Sequence, residues 1–350
     1  MQPDLWLLYE FMFRSRLFEE AIAILWRDGM ISGEMHLGTG EEAIIAGTIS
    51  HLREGDAMAL DHRGTAAMLL RGVDPVLILR ELLGCPDGLC GGMGGHMHLF
   101  SKEHLAASSG IVGSSAPAAT GFGLSAQYLH PGAIAVAFFG EGAINQGMLM
   151  ESLNLAAAWN LPVLFVCKDD RWSITMESGE TTGGSVRERA RGFGLPYYEA
   201  DGRDVTAVWE AAGSAIERAR TGRGPAFLHA PCVHLEGHFL GFQLLRMVRD
   251  PVREMPETTI PLVQSFLRRG GASLGQRAAG LKEILSAMRS TFSDPRQYPA
   301  NDPVLRTRER LLPEPSRLEE LEERIQKEIS QSLTDALAGV PAGIPVEAPA

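Results

Sequence analysis

The sequence predicts an α/β fold with a doubly wound, mostly parallel sheet, on three observations. Between Ala133 and Thr175, two apolar, β-prone runs (Ala133–Phe139 and Pro162–Cys167) flank a helix-like stretch from about Asn145 to Trp159. That is a strand–helix–strand unit of the length a parallel crossover needs. Acidic clusters follow each run directly, Gly140-Glu141-Gly142 after the first and Asp169-Asp170 after the second. They fall at the carboxyl ends of neighbouring parallel strands, where open α/β sheets bind ligands. Elsewhere, short apolar runs such as Ala57–Leu60 and Pro225–Ala230 alternate with helical periodicities.

Residues 4–28 carry Leu5, Leu8, Phe11, Met12, Phe18, Ile22 and Leu25 at helical spacing, and Gly29 ends that helix. Gly40–Leu52 reads as a second helix, with Glu41 and Glu42 in its first turn favouring the dipole. The strand Ala57–Leu60 runs into Asp61-His62-Arg63-Gly64. An arginine beside a glycine at a strand end suits phosphate, although on this segment alone a surface arginine in a turn is the better explanation. Gly84–Phe100 is too glycine-rich for a helix or an inner strand and reads as a loop. Its His96 and His98 have no third ligand at nearby spacing, which argues against zinc. Gly110–Gly121 turns into a small-residue helix over Ala116–Gln127. Thr175–Gly184 has no apolar period and reads as a mobile loop.

Ser185–Gly194 and Val205–Thr221 read as helices, with a strand before the turn at Glu199 and a last buried strand at Pro225–Ala230. In Cys232–His238, the HxxxH spacing contains Gly237 and lacks a glutamate after the first histidine, against a zinc helix. Amphipathic stretches at Ile260–Leu267 and Leu281–Met288 suggest a two-helix insertion over the active-site mouth or a partner surface. Ser316-Arg-Leu-Glu319 reads as a capping box for a helix with Leu318, Leu321, Ile325, Ile329 and Leu333 on one face. The expected organisation is a main α/β domain over 1–240, a helical insertion over 241–300, a C-terminal segment packing on the main domain over 301–337, and a disordered tail over 338–350.

Composition narrows the function. The 350 residues are 45% apolar and 21% charged, enough for one large domain, with a net charge of −11. No basic cluster suggests nucleic-acid binding. No apolar run approaches the roughly 18 residues of a membrane span. The amino end lacks a signal-peptide layout, and the four cysteines lack CxxC spacing. These features lead to the expectation of a cytoplasmic protein with reduced thiols.

Glycines beside Glu141 allow a phosphate to reach the backbone, and the helix that follows offers its amino end. Two carboxylates and a phosphate make a hard oxygen site for Mg²⁺ or Ca²⁺. The tripeptide alone is equally a plain turn; the longer string decides between them. Gly140-Glu-Gly-Ala-Ile-Asn-Gln-Gly147, then Glu151, Asn154 and Ala156, then Leu161-Pro162 and the acidic pair, resembles the thiamine-diphosphate motif. With the opening around His36-Leu37 and Glu42-Ala43, the string is similar to the alpha subunits of the 2-oxo acid dehydrogenases of pyruvate, branched-chain and acetoin types.

The resemblance implies the diphosphate- and metal-binding half of a thiamine-diphosphate fold. On that reading Glu141, Asp170 and the backbone carbonyl of Trp172 hold Mg²⁺ (or Ca²⁺ or Mn²⁺). His62, Arg63, Gly140, Gly142, Ala143 and His234 lie at the cofactor, Gly113 and Ala116 at its aminopyrimidine, and His36 and His238 at the substrate. It also implies a beta subunit completing an α₂β₂ tetramer. The substrate would be a 2-oxo acid or acetoin-like molecule, and the acceptor a lipoyl acyltransferase or another group. Six positions depart from the family pattern: Glu141 for Asp, Asp170 for Asn, Thr65 for His, His234 for Arg, Glu236 for a frequent His, and Glu41 for the usual Gln. The departures at Glu141, Asp170, Thr65 and His234 add negative charge to the metal shell and take away positive or proton-carrying groups. A degenerate scaffold subunit on the same fold, and the diphosphate half of a transketolase-like enzyme, stand as alternatives.

Overall fold

A computed structural model describes residues 2–174, 176–240, 282 and 298–340. In chain order the elements are α1 (Leu5–Arg27), α2 (Glu42–Ile49), β1 (Ala57–Leu60), α3 (Thr65–Leu70), α4 (Pro75–Leu82), β2 (Phe100–Ser101), β3 (Ala106–Ser108), α5 (Ser115–Leu129) and β4 (Ala135–Gly140). A 3₁₀ turn (Glu141–Asn145) leads into α6 (Gly147–Ala158) and β5 (Val163–Asp169). Then come β6 (Trp172–Ser173), β7 (Met176–Glu177), α7 (Ser178–Thr181), α8 (Val186–Gly192), β8 (Tyr197–Glu199), α9 (Val205–Arg220) and β9 (Ala226–Pro231). A 3₁₀ turn (Pro299–Asn301), α10 (Pro303–Leu311) and α11 (Pro315–Leu337) complete the described elements.

The main sheet has the order β2-β3-β1-β4-β5-β9-β8. Every neighbouring pair is parallel except β2 with β3, so the predicted doubly wound, mostly parallel sheet is found. The chain passes from β1 to β3 on one side, then crosses to β4 on the other. That change of direction opens a crevice at the carboxyl edge of β1 and β4. β4 and β5 are buried along nearly their whole length, as a central parallel strand with helices on both faces must be. α1, α2, α9 and α11 contribute to the core on one face of the sheet; α5 and α6 contribute to a second core on the other. Among the described residues no helix is long and apolar enough to cross a membrane.

The central unit begins and ends within two residues of its expected bounds, and β1 matches Ala57–Leu60. α2 starts later than expected, at Glu42 in place of Gly40, because Gly40 takes φ +102°, outside helical space, and it ends at Ile49, short of Leu52. The expected loop Thr175–Gly184 instead contains β7, paired antiparallel with β6, and the single-turn α7. Arg171 and Ile174 adopt positive φ and reverse the chain there without a glycine to announce it. Helix α11 starts at Pro315, whose fixed φ suits the first helical position, and Glu314 makes no capping bond. Ser316 therefore lies inside the first turn and caps nothing. Leu318, Ile325 and Ile329 of the expected apolar face are buried, and Leu321 and Leu333 pack against the core.

The expected insertion over 241–300 lies outside the described residues except for 282 and 298–300, and the expected tail lies outside them beyond 340. The glycine-rich segment after α4 forms neither helix nor strand until Phe100. It is gathered by buried Glu81, which accepts hydrogen bonds from the backbone N–H groups of Cys90 (2.6 Å), Gly92 (2.8 Å) and Gly94 (2.6 Å). All four cysteines are free thiols.

Candidate functional site

A cavity of about 360 Å³ opens at the carboxyl edge of the sheet. Strand β1 ends on Asp61, His62 and Arg63, β4 on Gly140–Ala143, and β5 on Asp170 with Trp172 beyond it. The segment after β9 adds His234 and His238, the segment before α2 adds His36 and Glu41, and Gly110–Gly113 closes the far wall. The fold therefore brings the sequence-predicted residues together around one space, with one exception. Ala116 lies in α5 at 0% exposure, inside the core between α5 and the sheet, and does not line the cavity. Gly113 does line it, at φ +86°. Trp172 donates its backbone N–H to Asp170 Oδ1 at 3.1 Å.

Glu141 and Asp170 face one another across the ends of β4 and β5. Burial first, then the charge of Asp170, pushes the Glu141 carboxyl up to about 8. Ser173 donates its hydroxyl to Glu141 Oε1 at 3.2 Å. Asp170 behaves oppositely. Burial opposes ionisation, yet the charges of His234 and Arg63 hold it well below the usual carboxylate range. One buried acid is forced towards its neutral form beside another that stays charged, as two like charges close together in a poorly solvated space require.

His234 lies between two acids. Its Nε2 is 2.7 Å from Glu41 Oε1, and its Nδ1 is 2.7 Å from Asp170 Oδ2, a charge contact short of an aligned hydrogen bond. Burial and Arg63 act to lower its pKa, but Asp170 and Glu41 outweigh them and hold it at about 9. The imidazolium thus restores the positive charge that histidine at 234 was expected to remove. Both its nitrogens face carboxylates.

Glu41 is bound on its other oxygen by Lys168 Nζ at 2.6 Å, and Lys168 reaches Asp61 Oδ1 at 3.1 Å. Burial opposes ionisation of Glu41, but Lys168, His234 and Arg63 bring it down to about 2. Arg63, 3% exposed, donates to the carbonyls of Leu37 and, at 2.7 Å, His238. It acts on the cavity through its charge more than through a free fork of donors.

Four imidazoles cluster opposite the acids. His36 packs edge-on to His62 and His238, with centroids 4.7 and 5.1 Å away, and its Nδ1 is 3.1 Å from His96 Nε2. Burial first, with the charge of Arg63, lowers all four: His36 to about 3, His96 and His238 to about 4, His62 to about 2. They are neutral near pH 7, each able to donate and accept one hydrogen bond. His62 Nε2 is buried and has no partner among the described residues.

Lys168 and Asp61 escaped the sequence reading. A lysine between the apolar run Val163–Cys167 and the acidic pair Asp169-Asp170 was the available signal, since a buried lysine requires acid partners. Glu19 escaped it too. It accepts from the Gly38 N–H at 2.6 Å and from the Thr65 hydroxyl, so Thr65 serves the interior rather than the cavity.

Burial, against those two hydrogen bonds and with Glu42 and Glu41 nearby, lifts Glu19 to about 7. A raised carboxyl binds a proton in the folded chain that the unfolded chain has lost, so its contribution to stability falls as pH rises from the ordinary value of 4.5 through 7. Relative to Glu19→Gln, the native chain should lose about 2–3 kcal/mol between pH 5 and pH 8. Urea melts of both chains at the two pH values measure this; parallel trends would refute it.

Comparison with known proteins gives a consistent picture. A family profile described as "Dehydrogenase E1 component" matches residues 10–241. The alpha subunit of acetoin:2,6-dichlorophenolindophenol oxidoreductase from Cupriavidus necator is 42% identical over 236 residues, covering 67% of this chain and 71% of the relative. The Bacillus subtilis protein of the same name is 38% identical, covering 69% and 72%. The pyruvate dehydrogenase E1 component subunit alpha of Rhizobium meliloti is 34% identical over 300 residues, covering 84% and 85%.

Proposed function

The chain belongs to the dehydrogenase E1 component family, and from that premise we propose that it is the alpha subunit of a thiamine-diphosphate-dependent enzyme. The enzyme cleaves a 2-oxo acid or an acetoin-like hydroxyketone and passes the acyl or aldehyde unit to a lipoyl acyltransferase or another acceptor. Within that class we favour the hydroxyketone, because the relatives named for acetoin share 42% and 38% identity against 34% to 36% for relatives named as pyruvate dehydrogenase alpha subunits. The observation that carries the reading is the buried pair Glu141 and Asp170, facing a cavity on which His62 turns an unpartnered ring nitrogen.

The donor set fits the cofactor. Two carboxylates of opposed protonation tendency suit Mg²⁺ or a similar hard cation, which would let both ionise. Glu141, Asp170 and the Trp172 carbonyl would hold that cation. Gly140, Gly142 and Ala143 leave backbone open to the diphosphate, His62 offers its free nitrogen, and Arg63 and His234 add positive charge. A side chain at Gly142 would collide with Ser173 Oγ, so the glycine keeps the hydroxyl close to Glu141. When bound, thiamine diphosphate supplies a carbon that adds to a carbonyl and accepts the electron pair released on C–C cleavage. His36 and His238 present uncharged imidazoles that hold or move a proton at the substrate oxygens, and His96 fixes the His36 tautomer from behind.

The large apolar side chains of Ile111, Val112, Trp172, Ile174 and Met176 stand exposed at or beside the cavity mouth. An uncovered apolar rim around a polar site suits a partner subunit, here the beta subunit of an α₂β₂ tetramer.

Calorimetric titration of thiamine diphosphate and Mg²⁺ into the chain co-expressed with a beta-subunit partner tests the reading. Metal-dependent binding is expected, and it should be lost in both Glu141→Ala and Asp170→Ala. An assembled complex that binds neither ligand would leave a scaffold subunit on this fold.

A further inference from the structure

The geometry points to Glu41 as a positioning residue for Asp170, acting through His234 and braced by Lys168. The inference rests on the reading of Asp170 as a metal ligand given above.

Five polar groups, acids and nitrogen bases in turn, line up across the carboxyl edge of the sheet: Asp61, Lys168, Glu41, His234 and Asp170. The successive contacts are 3.1, 2.6, 2.7 and 2.7 Å. No member has more than 13% of its side chain exposed. The series ties together the end of β1, the residue before α2, the last residues of β5 and the one that follows it, and the segment after β9. Each Glu41 oxygen has its own nitrogen partner, Lys168 Nζ on one and His234 Nε2 on the other, so the carboxylate cannot rotate without breaking one contact. The imidazole is rigid, and fixing Nε2 on Glu41 sets where Nδ1 meets Asp170. With Oδ1 taking the Trp172 N–H and Oδ2 facing His234, both Asp170 oxygens are oriented by the protein. An outer contact of this kind fixes a metal ligand before the metal arrives. If Glu41 only neutralised Lys168, it would matter to folding and not to the cation.

The two roles separate in the assembled complex with Mn²⁺ as probe, read by calorimetry and by the Mn²⁺ electron paramagnetic resonance spectrum in the presence of thiamine diphosphate. Glu41→Gln should weaken Mn²⁺ binding about 10–100-fold and broaden the spectrum of what still binds. In an Asp170→Asn background the same change should cost less than about 3-fold, because the path to the cation is already cut. Glu41→Asp, which keeps the charge, should recover part of the affinity. The proposal is overturned if folded Glu41→Gln binds Mn²⁺ like the native complex, or if its effect is undiminished beside Asp170→Asn. A native complex that binds no Mn²⁺ removes the metal-site reading itself, and is told apart from failure of the Glu41 proposal by that control alone.

Discussion

Gly40→Ala should destabilise the fold by about 4 kcal/mol or more, lowering the melting temperature by roughly 10 °C. Two costs combine. At φ +102° an alanine is strained whatever its surroundings, at about 1–3 kcal/mol. Its Cβ would also overlap the Val233 carbonyl oxygen and lie 2.9 Å from the carbonyl carbon. Neither backbone can yield cheaply. On one side every residue of α2 is buried. On the other, the Cys232 N–H donates to Asp169 and the Leu235 N–H to Thr39. A displaced 233–238 segment would carry His234 and His238 out of the cavity, so cofactor binding should fall with stability. Gly33→Ala is the control: φ there is +86°, and an added Cβ would meet nothing within 4 Å. It should cost only about 1 kcal/mol. Equal melting of the two variants would mean that the close approach does not limit residue 40.

The cavity was legible where the signal was local. Apolar runs ending in Glu141 and Asp170 marked both strand ends, and those acids do share one cavity. Glu41 shows the opposite case. Its position at the start of a helix suggested only a favourable charge near the dipole, whereas its partners lie 127 and 193 residues away in Lys168 and His234. Spacing cannot announce a bond of that range. The hairpin after Asp170 was missed for a related reason: Arg171 and Ile174 supply its positive φ, and neither is a residue that marks such turns. The role of Thr65 was likewise out of reach, because the Glu19 it serves lies 46 residues earlier on α1.

Lys168→Met should cost about 3–5 kcal/mol, the range for removing one partner of a buried ion pair. Methionine fills the space of the lysine stem, so the loss is electrostatic. Glu41, 1% exposed, would keep a charge with one of its two close cation contacts gone, and Asp61 would lose its contact as well. Burial alone would depress the lysine, yet Asp61 and Glu41 raise its pKa above the ordinary 10.5. A base raised on folding stabilises fully below its unfolded value and loses that effect only as pH climbs through the folded one. The penalty should therefore be constant from about pH 6 to 9. Adding Glu41→Gln to Lys168→Met should restore part of the stability, since the stranded charge is gone. Denaturant melts of the two single variants and the double variant give the coupling between them. Additive losses would show that Lys168 and Glu41 do not act as a pair. A double variant that regains stability but still binds Mn²⁺ weakly would assign Lys168 to folding and Glu41 to the site, two roles held by one contact at the end of β5.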